Sequence, residues 1–324
     1  MNLISTLEKF SKLKILIIGD VMLDAYLWGK VERISPEAPV PIVSVEKKEE
    51  RLGGAANVAL NVKELGATPI LCSVIGKDDA GKSLLQLLKA NKMNSDGLVV
   101  SSKRITSVKT RVLSKSHQLI RYDSEVISDL SDEDEKKLLS AIQSIIAKEK
   151  PNAVIFQDYN KGVLTENVIS SVLKFCREKK IMTAVDPKRK NFFAYKTADV
   201  FKPNLKEVRE ALNNEIILVN GKGLNAVHNE LKKKLQHKIT IITLSEKGIY
   251  FNDGKQSEII GAHNHEVSDV SGAGDTVIAT AVLGIASGLS LHDAMMLANL
   301  AGGLGCEHVG VIPITKEMLQ RELS

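Results

Sequence analysis

Aromatic side chains are scarce in this sequence. Phe, Tyr and Trp together make up 4% of its 324 residues and are not interleaved with Arg and Lys. The stacking platforms of a single-strand nucleic-acid binder are therefore missing. Cysteine is rarer still: Cys72, Cys176 and Cys306 are odd in number, far apart and without C-x-x-C spacing, which argues against a disulfide scaffold. They read as buried thiols in a reducing compartment. The seven His show no metal-ligand spacing. No apolar run approaches the roughly 18 residues that span a bilayer, and MNLISTLEKFSKLKILIIGD carries Glu8 and several Lys where a secretion signal needs an apolar core. A cytoplasmic protein is expected, with neither nucleic acid nor membrane as partner.

What is present is a globular composition, 44% hydrophobic and 26% charged. Lys and Arg outnumber Asp and Glu by 44 to 39, a formal charge of +5 spread along the chain, which mildly favours phosphorylated ligands. Short apolar runs, LKILIIG (13–19), PILCSVI (69–75), AVIFQD (153–158), IMTAVD (181–186) and ITIITLS (239–245), alternate with helical patterns at about 52–66, 78–92, 131–148, 164–179, 220–235, 271–287 and 290–305. Strands that are apolar throughout suit a parallel sheet covered on both faces. Two segments break the rhythm: VPIVSVEKKEER (40–51) and ITSVKTRVLSKSHQLIRYDSE (105–125) alternate apolar and polar residues, as exposed antiparallel strands do, and the second turns at about Ser114–Ser116. The expectation is one α/β domain over 1–324, with a small β lid at about 38–52 and 104–125. A sheet with an uncovered apolar face must close over a ligand or pair with another copy, so the lid is expected to double as a homodimer interface.

Two glycine-rich stretches compete to hold phosphate. VIGKDDAGKSLL (74–85) spells the G-x-x-x-x-G-K-[ST] pattern of a P-loop, yet it would set Asp78 and Asp79 inside the cradle, where carboxylates repel an anion. The segment fits the start of the helical pattern at 78–92 instead. Far downstream, Ser271-Gly272-Ala273-Gly274 opens a helix of small residues, so backbone N–H groups can converge on an anion, with Asp275 in the first turn. That pairing suits phosphoryl transfer to a hydroxyl, the amides holding the transferring group and the carboxylate taking the proton. A tightly packed helix start capped by Asp275 explains the same residues. GDVMLD (19–24) puts Asp24 past the end of the first strand, where open α/β sheets bind ligands. RLGGAANVALNVKELG (51–66) sets Gly53 and Gly54 at a helix start before Asn57, and KPNLKEV (202–208) spaces Asn204 and Glu207 as a cap and its partner.

Taken together, GGAANVA near residue 53 and DVSGAGDT near residue 269 resemble the ribokinase/PfkB family of carbohydrate kinases, and the likeness covers nearly the whole chain. Within it, GDVMLDAYLWGKVERISPEAPVPIV, TRVLSKSHQLIRYD, QDYNKGVL and VDPK look most like the heptose 7-phosphate kinases of ADP-heptose synthesis. These are often fused to a nucleotidyltransferase, whereas this chain stops at Ser324 and resembles only the kinase half. The resemblance implies a ribokinase-like fold and an ATP- and Mg²⁺-dependent kinase that phosphorylates the anomeric hydroxyl of a sugar phosphate. A kinase for another sugar, sugar phosphate or nucleoside, or a catalytically silent sensor, are the alternatives. Asp275 would be the base and the amides of Gly272, Ala273 and Gly274 the anion hole. Asp24, Gly53, Gly54 and Asn57 would hold the sugar, with Arg111, Arg121, Lys161 and Lys188 for its distal phosphate. Asn204 and Glu207 would order Mg²⁺; Thr243, Ser245, Gly248 and Asn299 would line the nucleotide site. Asp269, with carbonyls near Gly310, would face a monovalent cation such as K⁺, although EHVGVIP departs from the commoner pattern. A separate nucleotidyltransferase is the implied pathway partner.

Overall fold

A computed structural model describes residues 3–114, 117–262, 268–308 and 310–323. The lid turn at 115–116 and the start of EVSDVSGAGDT, Glu266 and Val267, lie outside the described residues. In chain order come α1 (Leu3–Leu7), β1 (Lys14–Gly19), β2 (Val21–Ile34), β3 (Pro41–Gly54), α2 (Ala55–Glu64), β4 (Thr68–Gly76), α3 (Asp79–Ala90), β5 (Leu98–Ser101), β6 (Ser107–Ser114) and β7 (His117–Ser124). Then follow α4 (Asp132–Glu149), β8 (Ala153–Gln157), α5 (Glu166–Lys179), β9 (Met182–Asp186), β10 (Val200–Phe201), α6 (Leu205–Leu212), α7 (Gly221–Leu235) and β11 (Ile239–Thr243). The chain closes with β12 (Ile249–Asn252), β13 (Ser257–Ile260), α8 (Ala273–Ala286), α9 (Leu291–Cys306) and α10 (Lys316–Glu322).

A nine-stranded sheet runs β13-β12-β11-β10-β9-β8-β1-β4-β5, parallel from β11 to β5 and antiparallel at β12 and β13. Side chains alternate across β1: Ile15 and Ile17 enter one core with α2, α8 and α9, while Leu16 and Ile18 enter another with α4, α5 and α7. That two-sided burial is why the strands are apolar throughout. Helix starts follow their capping chemistry: Ser131 accepts from the amide of Asp134 at 3.3 Å, and Asn204 and Glu207 close a reciprocal capping box on α6.

The lid differs from expectation in one respect. It has four strands, β3-β2-β6-β7, and its inner strand β2 begins one residue after β1 ends. Asp24 lies past the end of β1, as expected, and there it belongs to β2. The two ribbons are antiparallel, as alternation implies, but β2 and β6 join them in parallel. Cys72 and Cys176 are buried; Cys306 is half-exposed, because its position on α9 borders a cavity. Among the described residues, no helix is long and apolar enough to cross a membrane.

Candidate active site

The parallel strands end together, and their carboxyl ends gather the polar residues. Asp20 follows β1, Asp158 and Tyr159 follow β8, Asp186 closes β9, and Lys202 follows β10. Asp20 is buried and accepts from the amides of Tyr159 (2.8 Å), Lys161 (3.1 Å) and Val163 (3.0 Å), which pins the loop after β8. Burial pushes Asp20 up from its usual value, and burial together with Asp20 pushes Asp158 up to about 7.

Asp275 lies opposite these ends, in the first turn of α8 and 3% exposed. Its Oδ2 accepts from Asn57 Nδ2 at 2.8 Å; its Oδ1 accepts from Gln157 Nε2 at 3.0 Å and Tyr159 Oη at 2.7 Å. Burial, helped by the nearby Asp186, lifts its pKa to about 7, against the pull of Asn57, Tyr159 and Lys202. A carboxylate so poised can take a proton near neutral pH. The helix start beside it is capped by Gly272 at φ 82°, a left-handed turn that favours glycine. The first intrahelical bond is Thr276 N to Gly272 O at 3.0 Å, so the amides before it lack intrahelical acceptors. Of the three expected amides, Ala273 N leans back on Val270 O at 3.3 Å, leaving Gly272 and Gly274 better placed for an anion. Lys202, 2% exposed, brings Nζ to 3.0 Å from Asp186 Oδ2, and a Cβ on Gly274 would lie 3.7 Å from that ammonium. A buried cation thus faces the amide turn.

Asp275 stands between a cavity and the root of the lid, to which Asn57 links it. The cavity, of about 1000 Å³, is lined by Gly272, Ala273, Gly274, Lys188, Asn204, Thr243, Ser245, Gly248 and Asn299. Asn299 donates to Gly261 O at 2.7 Å, which fixes its amide at the wall. Lys188 is ion-paired with Glu207, whose other oxygen accepts from Asn204 N at 2.8 Å. Burial pulls Lys188 down, but Asp186 and Glu207 outweigh it and hold its pKa above the usual value. Glu207 is pushed up, by burial first and Asp186 second.

On the other side is the lid, whose base carries Asp24 and Gly53. A Cβ at Gly53 would stand 2.3 Å from Asp24 Oδ2, so glycine is what lets that carboxylate in. Asp24 pairs with Arg111, and the Arg51 and Arg111 guanidinium carbons lie 4.8 and 5.3 Å from the centre of the Tyr26 ring. Arg111 and Arg121 are direct cross-strand neighbours, a like-charge pairing that disfavours the sheet unless anions sit close. Carboxylates now do that service: Asp123 meets Lys109 at 2.6 Å and Arg121 at 3.1 Å, and Glu125 meets Lys161 at 2.5 Å. Asp269 lies near enough to Arg111 for their charges to interact, its oxygens accepting from Ser271 N and Gly310 N, each at 2.9 Å.

The P-loop-like segment has no such opening. Asp78 caps α3, Oδ1 accepting from Gly81 N at 2.7 Å and Thr106 Oγ1 at 2.8 Å, Oδ2 from Thr106 N at 2.7 Å. Lys82 is 74% exposed and pairs with Asp79.

The model of the pfkB family of carbohydrate kinases matches residues 12–318. The chain belongs to that family. Curated relatives of this pfkB kinase include the bifunctional protein HldE of Methylobacillus flagellatus, 40% identical over 309 residues, covering 95% of this chain and 63% of the relative. The bifunctional protein HldE of Aliarcobacter butzleri is 41% identical over 293 residues, covering 90% and 60%. The pfkB kinase thus spans about three fifths of the length of these relatives. Its fold is that of phosphofructokinase-2 from Escherichia coli, solved with potassium (TM-score 0.79, 17% identity, 96% and 98% of the two chains). It is also that of Arabidopsis thaliana ribokinase, solved with ribose and ATP (TM-score 0.73, 16% identity, 96% and 98%).

Sequence reasoning missed Gln157, Tyr159, Asp186 and Lys202 in this pfkB kinase. Each lies at or just past the carboxyl end of a strand, within segments already singled out, QDYNKGVL, VDPK and KPNLKEV. The available signal was a polar residue closing an apolar run.

Proposed function

We propose that the chain is an ATP-dependent kinase that phosphorylates the anomeric hydroxyl of D-glycero-D-manno-heptose 7-phosphate, giving the 1,7-bisphosphate. The observation that carries this reading is the place of Asp275, buried between a nucleotide-sized cavity and a cation-lined lid, with helix-start amides beside it. ATP would lie along Thr243, Ser245, Gly248 and Asn299 with its phosphates toward Lys188, Lys202 and the Gly272–Gly274 amides. The sugar would lie under the lid against Asp24, Gly53, Gly54 and Asn57. Asp275 takes the hydroxyl proton while the amides and the buried ammonium of Lys202 meet the charge on the transferring phosphoryl group.

The sugar's distal phosphate would replace the carboxylates that now neutralise Arg111, Arg121 and Lys161. Lys188, which faces Glu207 in the nucleotide cavity, is better placed for the phosphates of ATP. Glu207 and Asn204 present hard oxygens that fit Mg²⁺, but both Glu207 oxygens are already engaged, so they would hold the ion through water. Bound there, Mg²⁺ neutralises charge on the nucleotide phosphates. Asp269, held by the Ser271 hydroxyl and by the amides of Ser271 and Gly310, is the carboxylate that would face a monovalent cation. The heptose acceptor rests on the sequence resemblance together with the lid cations. Exposed Ile34, Val40, Val45 and Ile120 on the lid support a homodimer through that sheet, and a nucleotidyltransferase would act on the product downstream.

The test is product identification after incubation with ATP, Mg²⁺ and the heptose phosphate, beside fructose 6-phosphate, ribose and a nucleoside. The 1,7-bisphosphate formed fastest is the expected result. Fastest turnover of an acceptor without a phosphate group would sink the heptose reading, and mass measurement in solution checks the dimer.

A further inference from the structure

A carboxylate offers four lone-pair positions, two on each oxygen. On Asp275 Oδ1 both are taken, by Tyr159 Oη at 2.7 Å and Gln157 Nε2 at 3.0 Å. The orientation of the Gln157 amide is dictated by its surroundings: Nε2 also donates to Asp186 Oδ2 at 3.2 Å, and reversing the amide would set its oxygen against two carboxylates. Oδ2 has one donor among the described residues, Asn57 at 2.8 Å. The two oxygens of the base are therefore unequal.

We propose that Tyr159 is a positioning residue of the reaction: with Gln157 it occupies Asp275 Oδ1 and so leaves Oδ2 as the oxygen that receives the acceptor's proton. The inference rests on the kinase reading given above. In the transfer, the hydroxyl oxygen forms its bond to the γ-phosphorus and releases its proton to Oδ2. The bond from that phosphorus to the bridging oxygen breaks, its electron pair leaving with ADP. Tyr159 touches neither reacting atom and acts through the carboxylate alone.

Tyr159 is suited to the task because it remains a donor. Burial first, and Asp275 second, hold its phenol well above the usual value, so it does not ionise where the base works. The loop that carries it is fixed by the three amides on Asp20, and the Lys188 ammonium stands 5.5 Å from its ring centre. The charged groups facing Asp275 are Asp186 at the end of β9, Lys202 after β10 and Lys188 paired with Glu207, with Asp24 of the lid beyond Tyr159. A Tyr159→Phe substitution alters none of them and keeps the ring.

The experiment is the pH profile of kcat and of KM for ATP in the wild type and Tyr159→Phe. Loss of a donor to the ionised carboxylate makes it more basic, so the acid limb of kcat should move up by about one pH unit, with KM for ATP unchanged. A profile that stays in place, with or without a uniform loss of rate, overturns the proposal. Replacing Tyr159 by 3-fluorotyrosine, a stronger donor of nearly the same shape, should move the limb to lower pH, and it covers the case in which Tyr159→Phe fails to fold. Carbon-13 NMR titration of the Asp275 carboxyl, assigned by its loss in Asp275→Asn, reads the same shift without any acceptor. A wild type that phosphorylates no sugar phosphate, while this titration still moves, would overturn the kinase reading and leave the hydrogen bond to Asp275 standing; an unmoved titration overturns the positioning role itself.

Discussion

Gly76–Ser83 and Ser271–Asp275 each set a glycine-rich turn and an aspartate at the start of a helix, and each could be mistaken for the other. In the first, the aspartate is the N-cap. Asp78 turns inward, collects the amides of Gly81 and Thr106 and the Thr106 hydroxyl, and fills with its own carboxylate the space an anion would need. In the second, the N-cap is Gly272, which has no side chain to offer, and the aspartate lies three residues further in. Asp275 turns away from the amides toward Asn57, Gln157 and Tyr159. The same residue types give a closed cap in one place and an open amide turn flanked by a buried carboxylate in the other, and a three-residue displacement makes the difference.

Substitution at the two aspartates should separate these roles. Asp275→Asn, which keeps shape but cannot take a proton, is expected to lower kcat by about 10²–10⁴, measured by coupled assay at saturating substrates; retention of more than a tenth of the rate would merge the two sites again. Acid should act in the same direction. With Asp275 held at about 7 by burial, and active only when deprotonated, kcat should fall roughly tenfold per unit below about pH 6, and a flat profile down to pH 5 would contradict the assignment. Asp78→Ala should instead destabilise the fold by about 1–2 kcal/mol, the value of a lost helix cap, with the activity of the folded enzyme intact; denaturant melts and specific activity check both halves. Lys82→Ala should change neither stability nor rate measurably, since its exposed pair with Asp79 contributes little. An activity lost with Lys82 and kept without Asp275 would reverse the comparison.

Of the central sheet, β1, β4, β8, β9 and β11 were readable because such strands are buried on both faces, and capping residues mark helix starts, as at Ser131 and Asn204; β5, β10, β12 and β13, two to four residues long, were not read. The lid was half readable. Alternation reveals strands with one wet face, as in VPIVSVEKKEER, but β2 begins inside the core at Val21 and ends in solvent at Ile34, so it mixes two patterns. At the candidate site, SGAGD was legible because an open helix start with bare amides needs small residues in sequence. Gln157, Tyr159 and Lys202 were not, since parallel strands far apart in the chain bring them to Asp275, and only the strand order sets them side by side.

The way the lid joins the body has a consequence for how such enzymes can diversify. Its inner strand leaves β1 at Asp20, its neighbour returns into α2 through Gly53 and Gly54, and Ala55 N ties the two roots together on Asp20 O at 2.9 Å. Irregularities in pairing, at Trp28/Gly29 and between Val31 and Arg33, fall toward the free end. Length, register and surface at the tip can therefore drift through insertion and deletion, while the anchored base of the ribbon keeps Asp24 and Gly53 in place. Change at the edge of the molecule thus leaves the residues at the root of the lid undisturbed.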